Sequence, residues 1–343
     1  MIFRGAFASR VSRIYGSIRH AFQVIVKIRK PSGGTQLTLV VGMGNDEYML
    51  QVSDRRLLAG ETPVDEESCK GGIFLCKNAR LAFGFTGIAK VGGLIVRRWI
   101  LDGLMESGPP TFDAKGILDR FTERATHAFS SVNQFRSLRP DERRLTILFS
   151  GYLYQHSPPL AAYCFVSNYQ NFQNGIDSPT ALPSFSVFYS SEKRPSAGSL
   201  SMVQRIGAIH LMPPEEVPAF RTMLEEHKPA KALIGKLLEY FDSKAEGMGG
   251  KGAVGTQVSW VVVPRDLQQA VQTGYGSGVN TSRIWIPSYA NIDSHGSYVL
   301  DDVSVQPVDP EITPPMAVRK VPKGAPCPCG SQKKYKHCHG RHH

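Results

Sequence analysis

Side chains that could activate a nucleophile occur near the beginning of the folded part of the chain. Hydroxyl groups are present at Thr35 and Thr38, a carboxyl group at Asp54 and an amine at Lys70. A terminal threonine can attack a carbonyl when its own α-amino group acts as the base and a nearby lysine lowers the pKa of the hydroxyl. An acid then keeps the lysine charged and oriented. These residue types therefore indicate a nucleophile site if the fold brings them together.

A second group of side chains, close to the C-terminus, has the donor atoms of a metal site. Cys327 and Cys329 are separated by one residue, and Cys338 is followed directly by His339. Three thiolates and an imidazole can complete a tetrahedral zinc site that has no open position for a substrate. Zinc binding would also supply the folding free energy that so short a segment cannot obtain from apolar burial. Other imidazoles that could compete for the metal are His337, His342 and His343.

The candidate nucleophile residues lie among short apolar runs. The runs cover 37–43, 48–52, 73–76 and 81–85. They are rich in β-branched or aromatic residues and are separated by Gly, Asn and Asp, which predicts short strands and turns. We therefore expect the folded part of the chain to open with a β-meander.

Helical spacing of apolar residues predicts two pairs of helices later in the chain, over 89–105 and 112–135 and then over 216–227 and 229–245. The intervening and following segments have the pattern of strands; these are 144–153, 160–166, 185–189, 200–209 and 258–263. Strands and helices grouped in blocks favour an α+β body in which helix pairs cover antiparallel sheets.

This region resembles the N-terminal nucleophile (Ntn) hydrolases of the proteasome β-subunit kind. The resemblance is carried by the threonine-containing first strand, by Ser53-Asp54-Arg55-Arg56, by Lys70 before Ile73-Phe74-Leu75, by Phe85-Thr86-Gly87-Ile88-Ala89 and by Val254-Gly255-Thr256-Gln257-Val258. It implies a four-layer αββα sandwich, which we expect over 35–306. Members of this family often assemble into rings or dimers, so a homo-oligomer is a further expectation.

The resemblance also implies roles for the candidate residues. Thr35 or Thr38 would be the nucleophile of an amide or peptide hydrolase, Lys70 would tune its hydroxyl, and Asp54 would orient Lys70. A main-chain N–H near Thr86-Gly87 would stabilise the oxyanion. The family exposes its nucleophile by cleavage after a glycine, which favours Thr35, whereas the spacing of sixteen positions to Asp54 favours Thr38. A noncatalytic protein that keeps the sandwich is the alternative.

The cysteine-rich segment over 326–340 resembles the SEC-C motif, the zinc-binding element at the C-terminus of the SecA translocation motor. The match runs from Pro326-Cys327-Pro328-Cys329-Gly330-Ser331 through Lys333-Lys334-Tyr335 to Cys338-His339-Gly340. It implies that Cys327, Cys329, Cys338 and His339 bind one zinc ion. In that family the module docks on a protein chaperone or the ribosome, and a basic face would suit such a partner. The residues of this face are Lys333, Lys334, Lys336 and Arg341.

The positive charge of the chain belongs to its ends. The formal net charge is +11, but residues 1–44 and 317–343 each hold seven Lys or Arg and no acid. Removing these fourteen bases from forty leaves 26 bases against 29 acids, or about −3, for residues 45–316. A nearly neutral body argues against a nucleic-acid-binding protein.

The composition of the two terminal segments and the spacing of the cysteines predict the domain boundaries and the cellular compartment. Residues 1–34 form a basic extension, for which organelle targeting is a secondary interpretation, and the proline-rich 307–325 is predicted to be a linker to the zinc module over 326–343. No window holds the roughly 18 uninterrupted apolar residues of a membrane span. The six cysteines do not form an evenly spaced disulfide framework, so we expect a reducing, cytoplasmic compartment.

Overall fold

The computed structural model describes residues 38–59, 62–65, 68–172, 177–192, 200–247, 254–277, 284–294, 297–301 and 303–305. Strands and helices follow one another in blocks, as the sequence pattern predicts, and the α+β class is confirmed. The basic extension, the proline-rich segment and the cysteine-rich motif lie outside the described residues. No helix in the described part of the chain is long and apolar enough to cross a membrane.

The strands are β1 (Leu39–Gly44), β2 (Tyr48–Asp54), β3 (Leu57–Ala59), β4 (Thr62–Asp65), β5 (Gly71–Cys76), β6 (Ala79–Gly87), β7 (Lys90–Val91), β8 (Leu94–Ile95), β9 (Leu145–Leu153), β10 (Leu160–Ser167), β11 (Ser186–Glu192), β12 (Met202–Gly207), β13 (Val258–Pro264), β14 (Gln272–Gly276), β15 (Ile284–Ile286), β16 (Tyr289–Ile292), β17 (Tyr298–Leu300) and β18 (Val303–Val305). The helices are α1 (Val96–Glu106), α2 (Ala114–Ser131), α3 (Asn133–Arg136), α4 (Val217–Glu225) and α5 (Ala230–Gly247), with 3₁₀ turns at Ile209–Leu211 and Pro214–Glu216.

Two large sheets form the centre of the structure. One has five strands in the order β12-β1-β2-β13-β14, and all its neighbours are antiparallel. The other has seven strands in the order β11-β10-β9-β6-β5-β16-β17. Its neighbours are antiparallel except for β5 and β16, which run parallel. The antiparallel order agrees with the strand blocks of the sequence, because antiparallel neighbours can be joined by short turns.

Alternation of side chains along β1 explains how the five-stranded sheet is buried on both faces. Leu39, Val41 and Met43 pack into a cluster with the helix residues Phe220 and Phe241. Successive side chains of a strand point to opposite faces, and the alternate residues of β1 face the other sheet. The five-stranded sheet is therefore covered by α4 and α5 on its outer face.

Apolar side chains also fill the space between the two sheets and the space between the seven-stranded sheet and its helices. Val40 and Met49 pack with Leu148, Tyr163 and other residues in a cluster between the two sheets. On the far side of the seven-stranded sheet, α1 and α2 supply a third cluster with residues of β6 and β9. Helices, sheet, sheet and helices thus succeed one another, and the apolar faces of both sheets are buried.

Two predictions about local structure are wrong. The four opening strands do not form one β-meander: β1 and β2 pair in the five-stranded sheet, whereas β5 and β6 pair in the seven-stranded sheet. The helix expected over 89–105 begins only at Val96, because β7 and β8 form a hairpin before it. Gly92 and Gly93 make the turn of this hairpin with φ of 51° and 84°, a conformation that glycine adopts without steric cost.

Candidate active site

Three of the predicted residues come together where the two sheets meet. Thr38 directly precedes β1, Asp54 is the last residue of β2, and Lys70 directly precedes β5. Their relative exposures are 4%, 0% and 3%. Because β1 and β2 belong to one sheet and β5 to the other, the site depends on how the sheets stack. Thr35, the other candidate nucleophile, lies outside the described residues.

Lys70 is the centre of this group of side chains. Its Nζ donates to Thr38 Oγ1 at 2.6 Å and to Asp54 Oδ1 at 3.1 Å. It also donates to the main-chain oxygen of Arg56. An ammonium group has three donors and no acceptor, so these contacts use all of its hydrogen-bonding capacity. The geometry is that of a cation held beside a hydroxyl oxygen.

Asp54 is held by the main chain as well as by Lys70. Its Oδ2 accepts from the N–H of Leu39 at 3.1 Å, and its Oδ1 accepts from the N–H of Arg56 at 3.0 Å. Complete burial raises the pKa of Asp54, while the charge of Lys70 and these hydrogen bonds oppose the increase. Both carboxylate oxygens therefore have partners, which a buried charge requires.

The main chain of Thr38 is fixed separately from its side chain. Its carbonyl oxygen accepts from Thr86 Oγ1 at 3.2 Å and from the N–H of Ala208 at 3.0 Å. Thr86 belongs to β6 of the seven-stranded sheet, and Ala208 follows β12 of the five-stranded sheet. Gly207, which directly precedes Ala208, has φ of +82°. The predicted Thr86-Gly87 segment thus reaches the site through the hydroxyl of Thr86.

The residue types in the sequence predict the three side chains, but they give little or no signal for several main-chain partners. The carbonyl oxygen of Arg56 could have been suspected, since it is two residues from Asp54. Gly207 and Ala208 had no such signal, because they are far from Thr38 in the chain and carry no chemistry of their own. They become neighbours only through the pairing of β1 with β12.

The arrangement can stabilise negative charge on the Thr38 hydroxyl oxygen, because the Lys70 ammonium is in direct contact with it. In the chain as given, the nitrogen of Thr38 belongs to the peptide bond with Leu37. It therefore cannot serve as a basic amine. The site therefore combines a hydroxyl, a cation and a carboxylate, and only cleavage before Thr38 would release an α-amino group beside them.

The predicted metal ligands are not part of this site. Cys327, Cys329, Cys338 and His339 lie outside the described residues. Within the described ranges, no group of three or more His, Cys, Asp or Glu residues could hold a metal ion. The described cysteines Cys69, Cys76 and Cys164 are not joined in disulfides, and burial raises the pKa of Cys76 to about 12.

Comparison with known proteins finds a family match at the C-terminus. The model of the SEC-C motif matches residues 325–341. The SEC-C resemblance predicted over 326–340 is thereby confirmed. The matched segment contains all four predicted metal ligands, although the match itself does not identify a bound metal.

Solved structures similar to this chain include three Anbu proteins. Anbu (ancestral beta-subunit) from Yersinia bercovieri has a TM-score of 0.43 and 12% identity, over 68% of this chain and 86% of its own. A Gly-1 mutant of Anbu from Hyphomicrobium sp. strain MC1 has a TM-score of 0.45 and 12% identity, over 71% and 88%. The Anbu complex from Pseudomonas aeruginosa, solved as a helical assembly, has a TM-score of 0.41 and 12% identity, over 70% and 86%. Similarity at this level assigns no activity to the chain.

Proposed function

We propose that this protein is an Ntn-type amide or peptide hydrolase in which Thr38 is the nucleophile. The observation that supports this most strongly is the position of Lys70 Nζ, 2.6 Å from Thr38 Oγ1 and 3.1 Å from Asp54 Oδ1. A lysine that contacts a hydroxyl and a carboxylate together has the arrangement needed to lower the hydroxyl pKa. The layered body over 35–306 would be the Ntn-like αββα domain.

The reaction would begin with hydrolysis of the peptide bond between Leu37 and Thr38, in which water gives Leu37 a carboxyl group and Thr38 a free α-amino group. The α-amino group so released takes the proton of Thr38 Oγ1, and the oxygen attacks the amide carbonyl of the substrate. The proton then passes to the departing amine, and the acyl group remains on Oγ1 as an ester. Water hydrolyses this ester, with the same α-amino group as base. Lys70 stabilises charge on Oγ1, Asp54 orients Lys70, and a main-chain N–H near Thr86-Gly87 would serve the oxyanion.

Intact-mass measurement of the purified chain tests this proposal. We expect the mass to fall by that of residues 1–37 and the shortened chain to react with an electrophilic probe at Thr38. Thr38→Ala should abolish both results, whereas the matched control Thr35→Ala should leave both unchanged. Loss of residues 1–34 that depends on Thr35 would assign the nucleophile to Thr35 instead. A stable full-length chain that no electrophilic probe labels would remove the hydrolase proposal.

We further propose that the SEC-C segment binds one zinc ion. The donor set fits this ion, because three thiolates and one imidazole satisfy four-coordinate zinc and give a structural rather than a catalytic site. Cys327, Cys329, Cys338 and His339 would hold it, and the bound ion would stabilise the fold of the module. Nothing in the proposed hydrolysis depends on this metal.

Metal analysis of the full chain tests the zinc proposal. Wild type should carry about one zinc per chain, and Cys329→Ser should lose most of it because a thiolate ligand is removed. Cys76→Ser is the matched control, since Cys76 lies in β5 and outside the motif. Equal zinc contents in wild type and Cys329→Ser would contradict the assignment.

A noncatalytic adaptor is the second candidate function, and the burial of the site supports it. Thr38 is only 4% exposed and Lys70 only 3%, so a substrate could not reach the hydroxyl without a change at the site. The protein would then dock on a ribosome or a chaperone through the basic zinc module. Its basic residues are Lys333, Lys334, Lys336 and Arg341. Binding to ribosomes that survives Thr38→Ala but not Cys329→Ser, in a chain that is never shortened, would favour the adaptor.

A cytoplasmic location and a homo-oligomeric state complete the proposal. Light scattering of the purified protein tests the oligomeric state, and fractionation of cells tests the location. A monomer at micromolar concentration would contradict the oligomer without affecting the proposed chemistry.

A further inference from the structure

We propose that Thr86 is a positioning residue that, together with the N–H of Ala208, clamps the carbonyl group of Thr38. This inference rests on the proposed function, because it explains how a nucleophile at the end of a chain could stay in place. One donor, Thr86 Oγ1, lies in β6 of the seven-stranded sheet and is 3.2 Å from the carbonyl oxygen of Thr38. The other, the N–H of Ala208, directly follows β12 of the five-stranded sheet and is 3.0 Å from the same oxygen. We call this pair of hydrogen bonds the carbonyl clamp.

A newly formed chain end needs such a restraint. Residues at a terminus are poorly ordered unless other contacts hold them. After cleavage before Thr38, the main chain on its N-terminal side no longer restrains it. Lys70 holds the side-chain oxygen, but a single contact allows the residue to rotate about it. The carbonyl clamp adds two fixed points on the main chain, and a carbonyl oxygen has lone pairs for two donors.

The space around the clamp is also adapted to it. A Cβ atom on Gly207 would lie 1.8 Å from the carbonyl oxygen of Thr38 and 2.6 Å from Thr86 Oγ1. The φ of Gly207, +82°, is likewise unfavourable for residues with a side chain. Only glycine at this position lets both donors approach the same oxygen.

Thr86 is suited to the role by its position in the strand. It is 1% exposed and lies next to the end of β6, so the sheet holds its main chain firmly. Its hydroxyl donates to Thr38 across the space between the two sheets. Because a hydroxyl has one proton to donate, the proton used here is committed to the carbonyl of Thr38.

Selective isotope labelling can observe the clamp directly. Thr38-Leu39 is the only Thr-Leu pair in the sequence, so ¹³C-carbonyl threonine with ¹⁵N-leucine gives a single correlation from this peptide bond. Thr86→Val should move the Thr38 carbonyl resonance upfield, because one hydrogen bond to the oxygen is lost. Thr86→Ser should leave it near the wild-type position, because the hydroxyl is restored.

Thr146→Val is the matched control for this experiment. Thr146 lies opposite Thr86 in the neighbouring strand, is fully buried and pairs its hydroxyl with Ser167 Oγ at 2.6 Å. This substitution removes a buried hydroxyl at the same level of the sheet, and that hydroxyl is paired with Ser167 rather than with Thr38. The clamp would be refuted if the carbonyl resonance did not move in Thr86→Val, or moved equally in Thr146→Val.

Reaction of Thr38 with an electrophilic probe separates the clamp from the hydrolase proposal. Thr86→Val should react more slowly than wild type, on the order of 10- to 100-fold, because small displacements of a reacting atom have effects of this size. Thr86→Ser and Thr146→Val should react at about the wild-type rate. Equal rates in Thr86→Val and wild type would overturn the positioning role. If wild type itself does not react, the hydrolase proposal fails, and the carbonyl resonance alone then decides whether the clamp exists.

Discussion

The two ends of the β1–β2 hairpin are stabilised in different ways. At the end that holds Thr38, the side chains of Lys70 and Asp54 form an ion pair with 4% and 0% exposure. At the opposite end, the turn between the strands is held mainly by neutral hydrogen bonds. Asn45 Nδ2 donates to the carbonyl oxygen of Leu224 at 3.2 Å, and Tyr152 donates to the carbonyl oxygen of Asn45 at 2.8 Å.

Ionisable side chains are present at the turn end too, but those of His227 and Glu47 are partly exposed to solvent. Nδ1 of His227 lies 3.1 Å from Oε1 of Glu47 and 3.8 Å from Oδ1 of Asp46. The side chains of His227 and Glu47 are 35% and 58% exposed. Both ends therefore connect strands to neighbouring elements, yet only one of them places a full charge pair in the interior.

The difference in burial between the two ends raises the question of why Lys70 and Asp54 are paired in the interior. Removing two charges from water costs several kcal/mol per ion, and well-packed apolar side chains often stabilise a protein as well or better. Stability alone therefore does not explain Lys70 and Asp54. Buried ionisable groups that contact a nucleophile are typical of functional sites, and Lys70 contacts the hydroxyl of Thr38, the nucleophile that we propose.

The largest expected effect is at the buried end. Lys70→Met leaves the Asp54 carboxylate without its cation, and we expect the free energy of unfolding in urea to fall by about 3–5 kcal/mol. Lys244→Met is the matched control, because Lys244 pairs with Glu216 at 3.0 Å while both side chains are about 30% exposed. Its cost should be about 0–1 kcal/mol.

A double variant identifies the cause of that effect. Lys70→Met combined with Asp54→Leu removes the unpaired charge and should recover a large part of the lost stability. If the double variant is no more stable than Lys70→Met alone, the loss reflects packing around Lys70 and the comparison between the two ends fails.

The second effect concerns the main chain at the buried end. Gly207 and Gly93 have nearly the same φ, +82° and +84°, but a Cβ on Gly93 would meet no atom within 4 Å. Gly93→Ala should therefore cost only the backbone strain, roughly 1–2 kcal/mol. Gly207→Ala should cost about 1–3 kcal/mol more, because its Cβ would overlap the carbonyl oxygen of Thr38. Equal losses in thermal unfolding would mean that the structure adjusts easily around Thr38.

Local patterns in the sequence predicted most of the elements but not how they meet. The apolar runs over 48–52 and 81–85 lie within β2 and β6, since periodicity is a property of neighbouring residues. The sheet to which each strand belongs depends on packing between distant segments. For this reason the meander was predicted wrongly, and it is the division of its strands between two sheets that brings Lys70 to Asp54.

The residues of the candidate site likewise divide into those that residue type predicts and those that only the fold reveals. Thr38, Asp54 and Lys70 could be selected because their side chains carry chemistry and because a resemblance pointed to them. Ala208 contributes only its N–H, and Gly207 contributes only empty space. Such contributions leave no trace in residue type, so they could be found only from the three-dimensional arrangement.

The third effect is at the turn end and depends on pH. Tyr48 donates its hydroxyl proton to the carbonyl oxygen of Lys228 at 2.6 Å, and burial raises its pKa from 10.0 to about 12. The unfolded chain therefore loses this proton first, and the contribution of Tyr48 to stability is complete below pH 10 and declines between about 10 and 12. Tyr48→Phe should cost about 1 kcal/mol near neutral pH. Its difference from wild type should shrink above pH 10 in urea unfolding, and a constant difference would contradict this explanation.

The smallest effect is expected for the exposed ion pair at the turn end. A double-mutant cycle with Glu47→Gln and His227→Asn measures the coupling between the two side chains, and asparagine tolerates the positive φ of His227, 52°. Because solvent screens these groups, the coupling at pH 6 should be at most about 1 kcal/mol and should decrease with added salt. The same cycle on Lys70 and Asp54 should give a much larger coupling that salt hardly changes. If the two couplings were equal, burial would not be what distinguishes the ends, and the argument that the interior pair serves the chemistry of Thr38 would lose its basis.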